Sequence, residues 1–318
     1  MPLKNLFIAG MAKCGSTALS EWMVMNKLAE DRMPGEKEPR IYAFDRPHPG
    51  IFRQAKDLPL LDASVSYAAA PATIHRLPEI DTHIVLCLRN QFERAWSHYI
   101  MYKLVFGADG GEVGKQYLSS GASDNDPNRP IRKKPKVSIF DLHLQYFPRR
   151  RHNIVLSYLH KEVQHLLGHT FRERLDYEIS FFLSRHKAPC FSILHTGMYY
   201  LPLRNLLEKF LPEDISVLSV HKLQDDDLRR QFVQQVFHEE KETPPVPFVF
   251  SSRNVDIGEE KPDFNDPAFD PLRSIFRYDL EQARALIAQT RFGTQLLDED
   301  ELNRYLHTET NPPASHRK

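Results

Sequence analysis

Four short stretches of the chain are apolar almost without a break: Leu6 to Ala9, Leu60 to Ala63, His83 to Leu88 and Ile215 to Val220. Unbroken runs of this length, unlike alternating ones, predict strands buried on both faces of a sheet. Helical patterns lie between and after them. One starts near Ser16. Another starts near Gln91, where Phe92, Ala95, Trp96, Tyr99, Tyr102 and Phe106 recur at three- and four-residue steps and predict a core-facing stripe. A last helix is expected near Pro271 to Thr290. Strands alternating with helices predict an α/β fold, a parallel β-sheet flanked by helices on both faces.

The pattern is interrupted once. From 107 to 137 the residues are mainly Gly, Ser, Asp, Asn, Pro and charged, which predicts a flexible loop. Helical periodicity resumes at Ser138 and runs to about His186, broken by "PRRRH" at Pro148 to His152. We read 138–190 as a helical insertion within a single domain spanning 1–318, since a structureless segment of this length inside a compact domain is usually functional or disordered.

Composition narrows the function. With 318 residues, 41% of them hydrophobic, the chain can bury a substantial core. Lysine plus arginine equals aspartate plus glutamate at 42 each, so no global field favours a nucleic acid polymer and any basic site must be local. No apolar run is long enough to span a membrane, and a strand beginning by Leu6 leaves no room for a signal peptide, so a cytoplasmic protein is expected. Cys14, Cys87 and Cys190 are too few and too scattered for a disulfide framework or a metal site.

The first strand leads into "GMAKCGSTAL", Gly10 to Leu19. Gly10 and Gly15 have the spacing of a phosphate-binding loop (P-loop), and a helix starting at Ser16 would aim backbone N–H groups and its positive end at an anion. ATP-binding loops place lysine directly after the second glycine, but Ser16 and Thr17 follow Gly15 and the lysine, Lys13, lies inside the loop. The plainer reading is a glycine-containing turn in which Ser16 and Thr17 are helix caps. A second stretch, "RNQFERAWSHY", ends the strand His83 to Leu88 with Arg89 and places Ser97 eight residues on. Five residues past Phe92 is a rotation of about 500°, which turns Ser97 roughly 140° from that core residue. A guanidinium fork and a hydroxyl suit a phosphate monoester; a surface ion pair and a solvated serine are the plainer alternative.

Together these stretches resemble the sulfotransferase superfamily that uses 3′-phosphoadenosine 5′-phosphosulfate (PAPS), in its glycan-type, heparan-sulfate-like branch and in a soluble, bacterial-style form. "GEKEPRIYAF" is similar to the Lys-Glu-Pro segment of that branch, "LDASVSYAAAP" to its acidic-Ser-x-x-Tyr strand end, and "GMYYLPLRNLLEKFLPEDISVLSVHKLQDD" to its Gly-x-Tyr helix, strand and Leu-Asp segment. The resemblance runs from about Leu6 to Asp227, outside the insertion.

It implies a P-loop-type fold and transfer of a sulfuryl group from PAPS, leaving 3′-phosphoadenosine 5′-phosphate (PAP), to a hydroxyl or amine with no metal required. It implies that Lys13, Cys14, Gly15, Ser16, Thr17 and Ala18 hold the 5′-phosphosulfate, with Lys13 also catalytic, and that Arg89 and Ser97 hold the 3′-phosphate. Glu38 matches the general base, with His48 in "RPHPG" as the rival because the small-molecule branch uses histidine. Tyr199 would line the adenine pocket or belong to the core, and Arg253 in "SSRN" would close on the donor phosphates or stand exposed. "RPIRKKPK" and "PRRRH" suit an anionic acceptor, a glycan or lipid, or are solvated loops. Two other functions stay open: a P-loop small-molecule kinase, opposed by the missing loop lysine and by Arg89 and Asn90 at a strand end where a magnesium-binding acid would belong, and a non-catalytic nucleotide-binding protein.

Overall fold

The computed structural model describes residues 2–34, 36–43, 52–107, 151–247 and 257–307. The four apolar runs form the centre of one sheet. Strand β1 (Asn5–Gly10) pairs in parallel with β3 (Leu60–Asp62) on one side, Asn5 opposite Leu60, and with β4 (Thr82–Cys87) on the other, Asn5 opposite Thr82. Strand β5 (Ile215–Leu218) extends the sheet from β4, Ile84 opposite Ile215. Leu6, Phe7, Ile8 and Ala9 of β1 are all fully buried, as are Ile84, Val85, Leu86 and Cys87 of β4. That is why their sequence is unbroken rather than alternating.

Two edge strands complete six in the order β2-β3-β1-β4-β5-β6, all parallel. These are β2 (Glu30–Asp31) and β6 (Thr294–Leu296). Neither was expected from the sequence, because two or three residues with polar members give no readable period. The chain also continues beyond the helix expected to be last: α8 (Asp270–Gln289) is followed by β6 and a short helix, α9 (Glu299–Asn303).

Helix α1 (Ser16–Met25) follows β1, a short α2 (Pro71–Ile74) follows β3, and α3 (Gln91–Phe106) follows β4. The chain then supplies α4 (His152–Gly168), α5 (Phe171–Arg185) and α6 (Tyr200–Leu207) before β5, and α7 (Asp226–Phe237) after it. Residues 108–137 of the expected loop and 138–150 of the expected insertion lie outside the described residues.

One expectation about α3 is corrected. Instead of a single apolar stripe, the helix is buried nearly all round, including Gln91, Arg94, Ser97 and His98. Phe92 packs edge-on to Phe276 and against Phe264, each with ring centroids 5.1 Å away, while Lys103 donates to the Leu167 carbonyl of α4 at 2.7 Å. Elements from the middle and the end of the chain thus enclose a helix whose own period marks only one face.

The sheet order fixes where a ligand belongs. From β1 the chain crosses to β2 at one edge, returns inward to β3, and then passes to the other side of β1 to add β4, β5 and β6 in turn. The carboxyl ends of β1 and β4 are therefore the switch point at which such sheets open a crevice. Gly10 ends β1 there, and Arg89 lies just past β4.

Candidate functional site

The loop 11–15 curls tightly between β1 and α1. At Gly10 a Cβ would come within 2.9 Å of the Ala68 side chain, and the Ala68 N–H already donates to the Ala9 carbonyl at 2.9 Å. Gly15 has φ +90° and faces Val220 so closely that a Cβ would lie 3.0 Å from it. Both glycines are demanded by the backbone, one by close approach and one by a left-handed conformation. Lys13 is also left-handed, with φ +69°. The Cys14 N–H turns inward to the Met11 carbonyl at 3.2 Å.

Gly15 is the N-cap of α1, and no side chain closes the first turn. Ser16 and Thr17 are therefore not capping residues, which removes the plainer reading of those hydroxyls. Ser16 Oγ instead accepts from Lys37 Nζ at 3.2 Å. Ala18 is nearly buried, and Cys14 lies beneath the loop, where burial pushes its thiol up to about 11.

Arg89 meets this loop directly, its Nη1 donating to the Lys13 carbonyl at 3.4 Å. Its carboxylate neighbours stand further off, Glu301 at 3.7 Å and Glu93 at 3.9 Å. Charge-assisted pairs normally close to about 2.7–2.9 Å, so the guanidinium is loosely satisfied by the described residues and its side chain is 36% exposed.

Its backbone, by contrast, is clamped. The fully buried Tyr199 hydroxyl donates to the Arg89 carbonyl, lies 3.3 Å from the Arg89 N–H, and touches Cys14 Sγ at 3.9 Å. The structure places Tyr199 in the core, as a brace under the glycine loop and the Arg89 turn rather than a surface lining a pocket. Asp279 of α8 holds it there by accepting from the N–H groups of Tyr199 (2.7 Å) and Tyr200 (3.1 Å) and from Gln91 Nε2 (2.9 Å). Burial raises the Asp279 carboxyl to about 6, against the pull of those hydrogen bonds.

Ser97 does not have the open orientation expected for it. It is 5% exposed on the enclosed α3, and no hydrogen bond ties it to the loop among the described residues.

The third segment is 37–40, anchored to the end of β3. Ala63 N–H donates to the Lys37 carbonyl at 3.0 Å, Arg40 N–H to Ser64 Oγ at 2.9 Å, and Tyr42 N–H to the Tyr67 hydroxyl at 3.3 Å. Tyr67 in turn donates to Asp62 at 2.8 Å, and Ser64 N–H donates to the same carboxyl at 3.1 Å. Burial lifts Asp62 to about 6 despite these donors. The acidic-Ser-x-x-Tyr pattern is thus a scaffold for the neighbouring Lys-Glu segment.

On that scaffold Glu38 Oε1 accepts from Lys37 Nζ at 2.6 Å and Oε2 from Arg40 Nη2 at 3.2 Å. Burial would raise the Glu38 carboxyl, but the charges and hydrogen bonds of Lys37 and Arg40 outweigh it and bring the pKa down to about 2. The rival base His48, Arg253, and the basic run "RPIRKKPK" lie outside the described residues.

Sequence reasoning missed Lys37 and Asn90. Asn90 is buried, caps α3 by accepting from the Glu93 N–H at 3.1 Å, and donates to the carbonyls of Glu301 (3.1 Å) and Arg304 (2.6 Å). It thereby docks the C-terminal segment beside Arg89. An Asn before a helical pattern is a readable cap, but its contact with residues more than two hundred positions away has no local signal.

Beneath the same region Arg94 is fully buried, pairing with His98 Nδ1 at 3.1 Å and donating to the Ile193 carbonyl. A Cβ at Gly197 would fall inside its guanidinium. Gly197→Ala is therefore expected to destabilise the protein by about 1–3 kcal/mol through overpacking, read as a lower denaturation midpoint with an unchanged denaturant slope. An unchanged midpoint would mean that Arg94 is not held against that backbone.

Among the described residues no helix is long and apolar enough to cross a membrane. No protein-family model matches the chain, and no curated protein sequence matches it. Among solved structures it is similar to a sulfotransferase from Alicyclobacillus acidocaldarius, with 18% identity, a TM-score of 0.50, and 90% of this chain and 96% of that one covered. At that identity the likeness is one of fold: a parallel sheet flanked by helices, with the same overall extent.

Proposed function

We propose that the protein is a PAPS-dependent sulfotransferase acting on a hydroxyl or amine of a glycan, lipid or smaller acceptor, and that it works as a single cytoplasmic domain. The observation that carries this reading is the contact of Arg89 Nη1 with the Lys13 carbonyl. It joins the glycine loop and the strand-end arginine at the switch point of the sheet, so that two anion-seeking segments serve one ligand. A donor with phosphates at both its 5′ and 3′ positions fits that pair. The loosely satisfied Arg89 guanidinium supports the fit, because a phosphate would give it the close partner that Glu93 and Glu301 do not.

In this reading Ser16, Thr17 and the loop amides orient the 5′-phosphosulfate, and Arg89 takes the 3′-phosphate, without the enclosed Ser97. The bound donor supplies the sulfuryl group. Glu38 accepts the proton that the acceptor loses as its oxygen or nitrogen bonds to sulfur. Lys13 neutralises the electron pair left on the 5′-phosphate when the bridging sulfur–oxygen bond breaks.

A kinase would need an acid at a strand end for its magnesium ion. One does end β3, but Asp62 is fully buried and both its oxygens accept from Tyr67 and Ser64. That acid belongs to the scaffold.

The test is binding in the presence of a chelator. PAP should raise the melting temperature without added metal, by an amount equivalent to about 2.7 kcal/mol at a hundred times its Kd. The analogue lacking the 3′-phosphate should do much less. Equal stabilisation by the two would remove Arg89 from the donor site.

A further inference from the structure

We propose that Lys37 couples the donor site to the base, its ammonium moving its charge from Glu38 to the donor's 5′-phosphosulfate when the loop is filled. The inference rests on the donor reading of the loop and adds a residue that this reading leaves without a role. Lys37 Nζ lies between the two sites, 3.2 Å from Ser16 Oγ at the start of α1 and 2.6 Å from Glu38 Oε1. Its side chain is 14% exposed and its backbone is fixed to β3 through Ala63, so the ammonium can change partners without the segment moving. An ammonium has three N–H donors, and the contacts with Ser16 and Glu38 leave the third without a partner among the described residues.

The electrostatics make the move useful. While Lys37 and Arg40 both hold Glu38, its carboxylate is ionised but a poor proton acceptor, since both oxygens are occupied by cations. An anion placed at Ser16 competes for Lys37. Drawing the ammonium toward that anion weakens its hold on Oε1, and the freed oxygen can accept the acceptor's proton. The carboxylate then gains basicity when the loop holds the donor's 5′-phosphate end. The proton ends on Glu38, the new bond is from the acceptor atom to sulfur, and the electron pair of the broken bond remains on the 5′-phosphate beside Lys13 and Lys37.

Binding of PAP, followed by titration calorimetry at fixed pH and ionic strength, tests this apart from turnover. Lys37→Met keeps the stem and removes the charge, and should weaken PAP binding roughly tenfold or more, the loss of one charge-assisted hydrogen bond. Lys37→Arg should retain most of the affinity. Glu38→Gln should bind PAP about two- to fivefold more tightly than the natural protein, because Lys37 no longer has a carboxylate to leave. That gain should vanish when Lys37→Met is combined with Glu38→Gln.

Unchanged PAP affinity in Lys37→Met, with a normal melting temperature, would overturn the proposal and leave Lys37 as a plain ion-pair partner. Weaker or equal binding in Glu38→Gln would overturn it as well. If the natural protein bound no PAP, the donor reading would fall and this inference with it, a result distinct from either of the others.

Discussion

Lys13→Ala is expected to lower turnover by roughly two to three orders of magnitude while changing the affinity for PAP much less. The amine's main partner in the proposed reaction is charge that develops on the leaving phosphate, and an interaction made chiefly in the transition state shows in kcat rather than in binding. Arg89 touches the Lys13 carbonyl, not its side chain, so truncation keeps the contact that joins the two segments. The backbone at position 13 is left-handed with lysine already in place, and alanine adds no new strain there, as it would at Gly15. Sulfate transfer measured from subsaturating to saturating PAPS decides the matter. A loss fully rescued by excess donor would make Lys13 a binding residue alone.

The parts of this site differ in how readable they were. The sheet was legible because its four central strands are buried on both faces and so carry unbroken apolar sequence; the edge strands β2 and β6 are too short to show any period. The loop was legible because Gly10 and Gly15 answer local backbone demands that no other residue meets. Arg89 was readable as a guanidinium at a strand end and Glu38 only through motif resemblance, and their relation to the loop could not be read from spacing. For Glu38 it depends on the tethers from Ala63, Ser64 and Tyr67 to the segment 37–43, and for Arg89 on the Tyr199 hydroxyl that clamps its backbone.

Ser97 and Tyr199 show a different limit. Helical geometry turns Ser97 away from Phe92 correctly, but the sequence of one helix does not say that α4 and α8 will cover its other faces. Tyr199 carries a hydroxyl that suits a ligand pocket as well as a buried brace, and Asp279, eighty residues later, selects the brace. Position 38 illustrates the same point in electrostatic form. A glutamate beside a lysine is an ordinary surface pair by sequence, whereas here a second cation, Arg40, and partial burial turn it into a strongly held carboxylate.

Glu38→Gln is therefore the substitution with the most to reveal. Glutamine keeps the size of the side chain, and its amide oxygen can still accept from Lys37 or Arg40, but it cannot take a proton. PAP binding should survive while transfer to an alcohol falls by roughly two to four orders of magnitude. Phenols lose their protons more easily than alcohols, so the variant should keep relatively more activity toward phenolic acceptors. If Glu38 is the base, His48→Ala should be mild in the same assay. The sign of any pH effect at limiting PAPS follows from the carboxyl pKa of about 2: while Lys37 and Arg40 hold it, Glu38 is ionised throughout the neutral range, so ionising it cannot account for a rise in activity near pH 6 to 7 under those conditions. A rise of that kind, together with an active Glu38→Gln and an inactive His48→Ala that still binds PAP, would assign the proton to the histidine. It would also turn the acceptor class from glycans toward small molecules.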